Sequence, residues 1–116
     1  MITKAVVMSE PGSLSIQPVD LKSPSKEDVV IEINYSGIST GTEKLFYNGK
    51  MPQFPGMGYP LVPGYESTGE VVQAPKDSNL KIGDMVFVPG ADCYSGSGKS
   101  LFGGAARMII SAPNRL

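Results

Sequence analysis

The sequence predicts a mainly β fold, an antiparallel and partly open β-barrel that carries one or two short helices. Three observations lead to this prediction. The chain contains six or seven short stretches with strand patterning, its 14 glycines and 10 prolines interrupt longer helices, and strands do not alternate with helices. A regular alternation would instead indicate a parallel sheet. With 116 residues, 41% of them hydrophobic, the chain fits one domain with one core.

Three strands are predicted in the first part of the chain. Residues 2–9 and 13–19 are expected to pair as a hairpin, because the Glu-Pro-Gly segment at residues 10–12 is a turn signal. The strongest strand pattern covers residues 29–38, where apolar and polar positions alternate. One face of this strand is predicted to hold Val29, Ile31, Ile33 and Tyr35.

A short helix is predicted after the third strand. Thr42 suits the N-cap position, and Glu43 in the first turn suits the helix dipole. Residues 44–48 would continue the helix to a stop at Gly49. Residues 50–60 then contain too many prolines and glycines for a regular element.

A tight turn is predicted directly before the next strand. Pro63 fixes its own φ, and Gly64 permits a positive φ, so the backbone can bend sharply there. Tyr65 and Glu66 lie where this turn meets a strand over residues 67–72. Such a position can present chemistry, and it is equally the entry to an ordinary surface hairpin.

The strand pattern continues to the end of the chain. Gly69 lies inside a strand, which indicates a bend, a bulge or the close approach of another backbone. Residues 81–84 form a turn signal before a strand at residues 85–88. A final strand is predicted over residues 105–111.

Charge and composition argue against several functional classes. Ten basic and eleven acidic residues leave a net charge of -1, without the basic footprint of a nucleic-acid-binding protein. No apolar run reaches transmembrane length and the N-terminus lacks the plan of a signal peptide, which predicts a cytoplasmic location. The chain has no histidine, and Cys93 is its only cysteine. The commonest metal ligand and general base is therefore absent, and a thiolate zinc cluster cannot form.

Two glycine-rich patterns indicate nucleotide binding only weakly. Residues 93–100 nearly match a phosphate-binding P-loop, but Cys93 replaces its first glycine and the following residues start a helix poorly. A surface loop is therefore favoured. Residues 96–98 lack the third glycine of a dinucleotide-binding fingerprint, so this chain is not expected to bind NAD tightly by itself.

Hydroxyl and carboxyl side chains follow the strongest strand. They are Ser39, Thr40, Thr42 and Glu43. Together they could hold and deprotonate an alcohol. Helix capping and turn formation by serine and threonine explain the same residues equally well.

Apolar side chains lie on both sides of the helix stop. They are Phe46, Tyr47, Met51, Phe54, Met57 and Tyr59. Aromatic rings offer stacking faces and methionine adapts to irregular shapes, so these residues could line a pocket for a large flat ligand. The alternative is that half of them close one end of the barrel, because apolar side chains are buried by default.

Four segments, taken in order, resemble the catalytic domain of medium-chain alcohol dehydrogenases, which has the fold of the GroES co-chaperonin. They are residues 27–33, 36–39, 60–72 and 81–86. The resemblance implies that residues 1–116 form a GroES-like catalytic and substrate-binding domain. It also implies that NAD is bound mainly by a C-terminal Rossmann domain, which is absent from this chain. This chain alone is then expected to be inactive.

The resemblance also bears on the metal. In zinc-dependent members a cysteine stands at the position of Ser39 and a histidine at that of Tyr65, and Glu66 matches the neighbouring acidic residue. Serine and tyrosine are poor zinc ligands, so the resemblance implies a zinc-free member. The alcohol would lie near Ser39, Thr40 and Tyr65. Tyr65 is the leading acid-base candidate, with Glu43 and Glu66 as alternatives.

Within this family, residues 36–46 and 54–66 resemble most a branch that acts in bacteriochlorophyll synthesis. That branch oxidises a hydroxyethyl group on a bacteriochlorophyllide, which is a tetrapyrrole, to an acetyl group and passes a hydride to NAD. Thr42 and, apart from Tyr47, the apolar residues named above would then contact the macrocycle. Two alternatives stay open: a zinc-free quinone or enoyl reductase, and a non-enzymatic co-chaperonin-like barrel that assembles into rings.

Overall fold

A computed structural model describes residues 1–95 and 102–116 of the chain. The strands in these ranges are β1 (Ile2–Glu10), β2 (Ser13–Asp20), β3 (Val29–Ser36), β4 (Ser67–Gln73), β5 (Met85–Val88) and β6 (Met108–Ser111). The helix α1 (Thr40–Asn48) follows β3, and a 3₁₀ turn covers Pro113–Arg115. None of the helices in these ranges is long and apolar enough to cross a membrane.

The strands form two antiparallel sheets that meet along one side. β1 pairs with β2, and the four-stranded sheet has the order β5-β4-β3-β6. Backbone hydrogen bonds join the two sheets: Val6 N–H donates to the Ala105 carbonyl at 2.8 Å, and Arg107 N–H donates to the Lys4 carbonyl at 2.8 Å. Within the described ranges no ladder joins β2 to β5. The predicted partly open, mainly β barrel with short helices is therefore confirmed.

β3 lies inside the four-stranded sheet and contributes to its core. Val29 and Ile31 are fully buried, as the alternating pattern predicts. Tyr35, predicted on the same face, is instead 78% exposed. The pairing of β3 with β4 shifts between Ile33 and Tyr35, and the extra residue of such a bulge turns the next side chains to the opposite face. The strand also ends at Ser36, earlier than predicted.

Two glycines meet requirements that a side chain would violate. Gly64 has a φ of +105°, and a Cβ atom there would lie 2.6 Å from the backbone nitrogen of Ala105. At Gly69 a Cβ atom would lie 2.4 Å from the carbonyl oxygen of Glu32 on the neighbouring strand. The predicted turn before Tyr65 is confirmed, and of the three explanations left open for Gly69 the structure shows the close approach of another backbone.

The helix starts earlier than predicted. Ser39, not Thr42, is the N-cap residue, and Glu43 N–H closes the first turn by donating to the Ser39 carbonyl at 2.8 Å. The Thr42 N-cap prediction is therefore wrong: Thr42 lies within the first turn, where its side chain can reach another part of the fold. The predicted stop at Gly49 is confirmed by its left-handed φ of 70°.

A second, smaller hydrophobic core surrounds one face of α1, and we call it the Phe46 cluster. Its buried members are Met8, Phe46 and Leu61, packed against Met51, Phe54, Met57, Tyr59 and Phe102. The Phe46 ring lies 6.3 Å from that of Phe54 and 6.2 Å from that of Phe102, between ring centroids. Phe46 is fully buried, and its predicted contact with a substrate stays a prediction. Its apolar ring is buried as the anchor of the helix.

The last strand is shorter than predicted. β6 begins at Met108, whereas Ala106 forms only an isolated bridge with Ala5 of β1. Residues 105–107 therefore serve the junction between the two sheets instead of extending β6.

The near-P-loop at residues 93–100 lies largely outside the described residues, which stop at Ser95 and resume at Phe102. Its first residue, Cys93, is buried in the main core. Burial raises the pKa of the Cys93 thiol, with a smaller opposing effect from a hydrogen bond to the backbone of Ile110. Cys93 is therefore a core residue in this fold.

Candidate active site

The Pro63–Gly64 turn directs Tyr65 toward the start of α1. The Tyr65 hydroxyl donates a hydrogen bond to the Ser39 hydroxyl, and it also lies 3.3 Å from Thr42 Oγ1. The Phe102 ring packs edge-on against Tyr65, with the ring centroids 4.8 Å apart. We call Ser39, Thr42 and Tyr65 the hydroxyl cluster. All three are half-buried, so the cluster combines fixed geometry with access from outside.

The engagement of Ser39 explains the unusual start of the helix. As the N-cap residue, Ser39 makes no side-chain capping bond, and its hydroxyl accepts from Tyr65. The Glu43 carboxylate accepts a hydrogen bond from Ser39 N–H, so it reaches back over the first turn. Hydrogen bonds therefore fix both the side chain of Ser39, through Tyr65, and its backbone N–H, through Glu43.

Two carboxylates adjoin this cluster. Burial is the largest influence that raises the pKa of Glu43, the hydrogen bond from Ser39 N–H opposes it, and the charge of Glu66 raises it further. Glu66 is exposed, and its carbonyl accepts from Gly37 N–H at 2.7 Å. A Cβ atom at Gly37 would lie 3.0 Å from the Glu66 carboxylate. The structure thus brings both predicted acidic residues close to Ser39, with Glu43 the more sheltered.

Thr40 belongs to a different part of the site. It is exposed and lines a cavity of about 550 Å³ between α1 and the β1–β2 hairpin. The helix face on this cavity consists of Thr40, Glu43, Lys44 and Tyr47. Among the described residues Thr40 thus makes none of the hydrogen bonds of the hydroxyl cluster, although it follows Ser39 directly, and Glu43 both lines the cavity and bonds to Ser39.

The sequence analysis did not identify this cavity. Its opposite wall is formed by Val6, Met8 and Leu14 of the hairpin. A signal was present in the helix, because residues 40, 43, 44 and 47 follow the spacing of one helical face. The hairpin wall could not be inferred locally, since it is distant in sequence from α1.

The predicted substrate-contact residues after the helix pack together. Met51, Phe54, Met57 and Tyr59 are half-buried against the Phe46 cluster. The Tyr59 hydroxyl donates to the Phe46 carbonyl, which ties this irregular segment to the end of α1. Each side chain keeps some exposed surface, and contact of these four residues with a ligand stays a prediction.

The donor atoms of the site do not fit zinc. Ser39 and Tyr65 present neutral hydroxyls, and zinc sites in proteins are built from thiolates, imidazoles and carboxylates. In the part of the chain that the structure describes, no three histidine, cysteine or acidic side chains come together in a way that could hold a metal ion. We therefore derive no chemical step through a metal at this site.

The fold and the site define the class of the protein. Residues 25–115 match the family model of the alcohol dehydrogenase GroES-like domain, and the chain belongs to this family. The family resemblance expected from the sequence is confirmed.

Two curated relatives are similar over nearly the whole chain. The 2-desacetyl-2-hydroxyethyl bacteriochlorophyllide A dehydrogenase of Rhodobacter capsulatus is 55% identical over 116 residues, which are 100% of this chain and 37% of that protein. The protein of the same name from Cereibacter sphaeroides is 52% identical over 119 residues, covering 99% of this chain and 37% of that protein. The chain thus spans 37% of the length of these relatives, and it is similar to the predicted branch of the family.

Solved structures agree in fold. A cinnamyl alcohol dehydrogenase from Sorghum bicolor superposes with a TM-score of 0.76 at 18% identity, covering 99% of this chain and 40% of that one. The D-arabinose dehydrogenase from Sulfolobus solfataricus gives a TM-score of 0.72 at 19% identity, covering 99% of this chain and 39% of that one. At these identities the likeness shows the fold alone.

Proposed function

We propose that this chain is the substrate-binding and catalytic part of an NAD-dependent dehydrogenase of bacteriochlorophyll biosynthesis. Its reaction would be the oxidation of the hydroxyethyl group of a bacteriochlorophyllide to an acetyl group. The identity of 55% and 52% to two relatives named 2-desacetyl-2-hydroxyethyl bacteriochlorophyllide A dehydrogenase supports the substrate. The observation that carries the chemistry is the hydrogen bond from the Tyr65 hydroxyl to the Ser39 hydroxyl.

The hydroxyl cluster would orient the substrate oxygen and move its proton. Oxidation of an alcohol to a ketone removes a hydride from carbon and a proton from oxygen, and NAD, when bound, supplies the hydride acceptor. We assign the proton to Tyr65, whose hydroxyl passes its own proton to Ser39 as it receives that of the substrate, while Ser39, which is half-buried, releases its own hydroxyl proton to solvent. Thr42 Oγ1 lies 3.3 Å from the Tyr65 hydroxyl oxygen and offers Tyr65 a second hydrogen-bond partner. Glu43 acts as a positioning residue through Ser39 N–H.

The cofactor assignment rests on the family. A structural neighbour from Escherichia coli is complexed with NADH, and one from Sinorhizobium meliloti is bound to NADP. We propose NAD for this protein, held mainly by a Rossmann domain outside this chain. That domain and the cytoplasmic location stay predictions. Metal analysis of the purified protein tests the zinc-free assignment, and a stoichiometric transition metal would contradict it.

The test of the proposed function is Tyr65→Phe in an intact protein that contains this chain and its NAD-binding part. Loss of one positioned acid-base group should lower turnover by about a hundredfold or more. Tyr35→Phe is the matched control, because Tyr35 is 78% exposed and outside the hydroxyl cluster. Turnover of Tyr65→Phe close to that of the control would remove Tyr65 from the mechanism. An acetyl product formed from hydroxyethyl bacteriochlorophyllide separates this function from quinone or enoyl reduction.

A further inference from the structure

We propose that the cavity between α1 and the β1–β2 hairpin is the seat of the tetrapyrrole macrocycle, with Lys44 at its rim recognising the carboxylate of the ligand. This inference rests on the proposed function and names the part of the domain that grips the substrate. It moves the main substrate surface from the predicted segment at residues 50–60 to the opposite face of the helix.

The size and lining of the cavity suit a broad apolar ring. Its volume of about 550 Å³ is within the range of about 300–1,000 Å³ that is usual for small-molecule sites. Val6, Met8 and Leu14 supply an apolar wall, and Tyr47 adds an aromatic ring on the helix side. Aromatic and aliphatic side chains are the groups that pack on the face of a planar macrocycle.

The lining residues with polar side chains include Ser36, the last residue of β3, and Thr40, Glu43 and Lys44 of α1. The wall is almost entirely apolar, so Lys44, which is exposed, lines it with its alkyl stem and can carry its ammonium group to the rim. The Glu43 carboxylate is turned away to Ser39 N–H. A bacteriochlorophyllide is a free acid, so the edge of its ring carries a propionate carboxylate. An ammonium group at the rim complements this charge, whereas the esterified form of the same ring would offer nothing for it.

One residue of the cavity lining, Glu43, is also bonded to the hydroxyl cluster, although Ser39, Thr42 and Tyr65 do not themselves line the cavity. Glu43 lines the cavity, and its carboxylate accepts from the backbone of Ser39, whose hydroxyl is bonded to Tyr65. A macrocycle seated along this face of α1 would therefore place one edge at the start of the helix. A substituent on that edge can reach toward Ser39 while the carboxylate lies nearer Lys44.

The segment at residues 50–60 is a weaker candidate for the same role. Met51, Phe54 and Met57 pack on the buried Phe46, so much of their apolar surface is already used by the fold. The cavity shares the buried Met8 with the Phe46 cluster, but the rest of its wall leaves apolar surface uncovered: Leu14 is 51% exposed and Tyr47 is 41% exposed.

The first experiment fills the cavity. Binding of pheophorbide a, a free-acid tetrapyrrole, to this chain is measured by fluorescence titration for the wild type, Leu14→Trp and Ile16→Trp. Ile16 lies on the same strand, is 73% exposed and does not line the cavity, so it is the matched control. Because both side chains are largely exposed, both variants should fold, which circular dichroism checks. We expect Leu14→Trp to weaken binding about tenfold or more and Ile16→Trp to leave it unchanged.

The second experiment tests the charge pairing. Lys44→Gln and the control Lys50→Gln are titrated with pheophorbide a and with its methyl ester. Lys50 is exposed and follows the end of α1, outside the cavity lining. Lys44→Gln should weaken binding of the acid about threefold, the scale of one exposed ion pair, and should leave binding of the ester unchanged. Lys50→Gln should change neither.

The outcomes separate this inference from the proposed function. Equal binding by Leu14→Trp and Ile16→Trp, or displacement of the tetrapyrrole by NADH in direct competition, overturns the cavity as its seat. So does a wild-type chain that binds neither probe. Equal weakening of acid and ester by Lys44→Gln overturns the charge pairing. An intact protein that binds through the cavity but yields no acetyl product refutes the proposed function and leaves the binding site standing.

Discussion

The two faces of α1 differ sharply, although the helix has only nine residues. The inner face carries Phe46, fully buried, and Thr42, which lies beside the Tyr65 hydroxyl. The outer face carries Lys44 and Tyr47, which border the cavity and remain exposed. The inner face therefore holds the helix in place, whereas the outer face stays uncovered along the cavity.

The length of the helix explains this division. An isolated helix shorter than about 12–15 residues is marginal in water, so α1 depends on tertiary packing. Phe46 provides that packing within its cluster, and Gly49 ends the helix with a left-handed residue. The position of Ser39 at the start of the helix therefore depends on a phenylalanine at its other end.

The largest expected effect comes from removing the anchor on the inner face. Phe46→Ala deletes a fully buried ring and should lower the free energy of unfolding by about 3–5 kcal/mol. Tyr47→Ala, the adjacent outer-face change at a side chain that is 41% exposed, should cost far less. Urea unfolding of this chain measures both. Similar losses for the two variants would mean that the faces do not differ as described.

A smaller effect tests whether the Ser39 side chain serves Tyr65 instead of the helix. Ser39→Ala, Tyr65→Phe and the double variant form a cycle whose coupling free energy should be about 0.5–1.5 kcal/mol, the net value of one hydrogen bond. Because the Ser39 hydroxyl makes no capping bond, Ser39→Ala should remove its hydrogen bond with Tyr65 without also removing a helix cap. Urea unfolding again gives the values. Additive single effects would show that the two hydroxyls are not energetically coupled.

The smallest effect concerns the pH dependence of stability. The pKa of Glu43 is raised in the folded chain, so the folded state keeps a proton that the unfolded state releases. Stability from this group is therefore complete below the ordinary glutamate pKa of about 4.3 and declines as pH rises through the raised folded value. Glu66→Gln removes a charge that raises the Glu43 pKa, so the decline should become smaller.

Two measurements check this prediction. A carboxyl-carbon NMR titration should show a lower pKa for Glu43 in Glu66→Gln than in the wild type. Urea unfolding at several pH values should show a shallower loss of stability over the same interval. Glu70→Gln, an exposed change on β4, is the control and should leave the pKa of Glu43 where it was. An unchanged Glu43 titration in Glu66→Gln would contradict the proximity of the two carboxylates.

Local sequence patterns predicted the secondary-structure elements better than they predicted the tertiary contacts. The alternation at residues 29–36 and the Pro63–Gly64 turn each report a backbone preference that few neighbours can override. The helix start was misplaced because Ser39 and Thr42 are both suitable N-cap residues, and the choice depends on what else each hydroxyl can reach. The bulge before Tyr35 left no local signal, since it depends on the register with β4.

By itself the sequence determined the class of fold, the family, and the residue types available for chemistry, including a tyrosine and a serine where zinc ligands would stand. The fold class and the residue types follow from periodicity, turn residues and composition, which are local, whereas the family and the positions of the zinc ligands follow from the resemblance of four segments to known members. Only the tertiary structure decided that Tyr65 meets Ser39 and Thr42, that Phe46 is an anchor, and that a cavity opens beside Lys44. Those contacts join residues far apart in the chain, and packing of the hairpin, the turn and the helix against one another sets them.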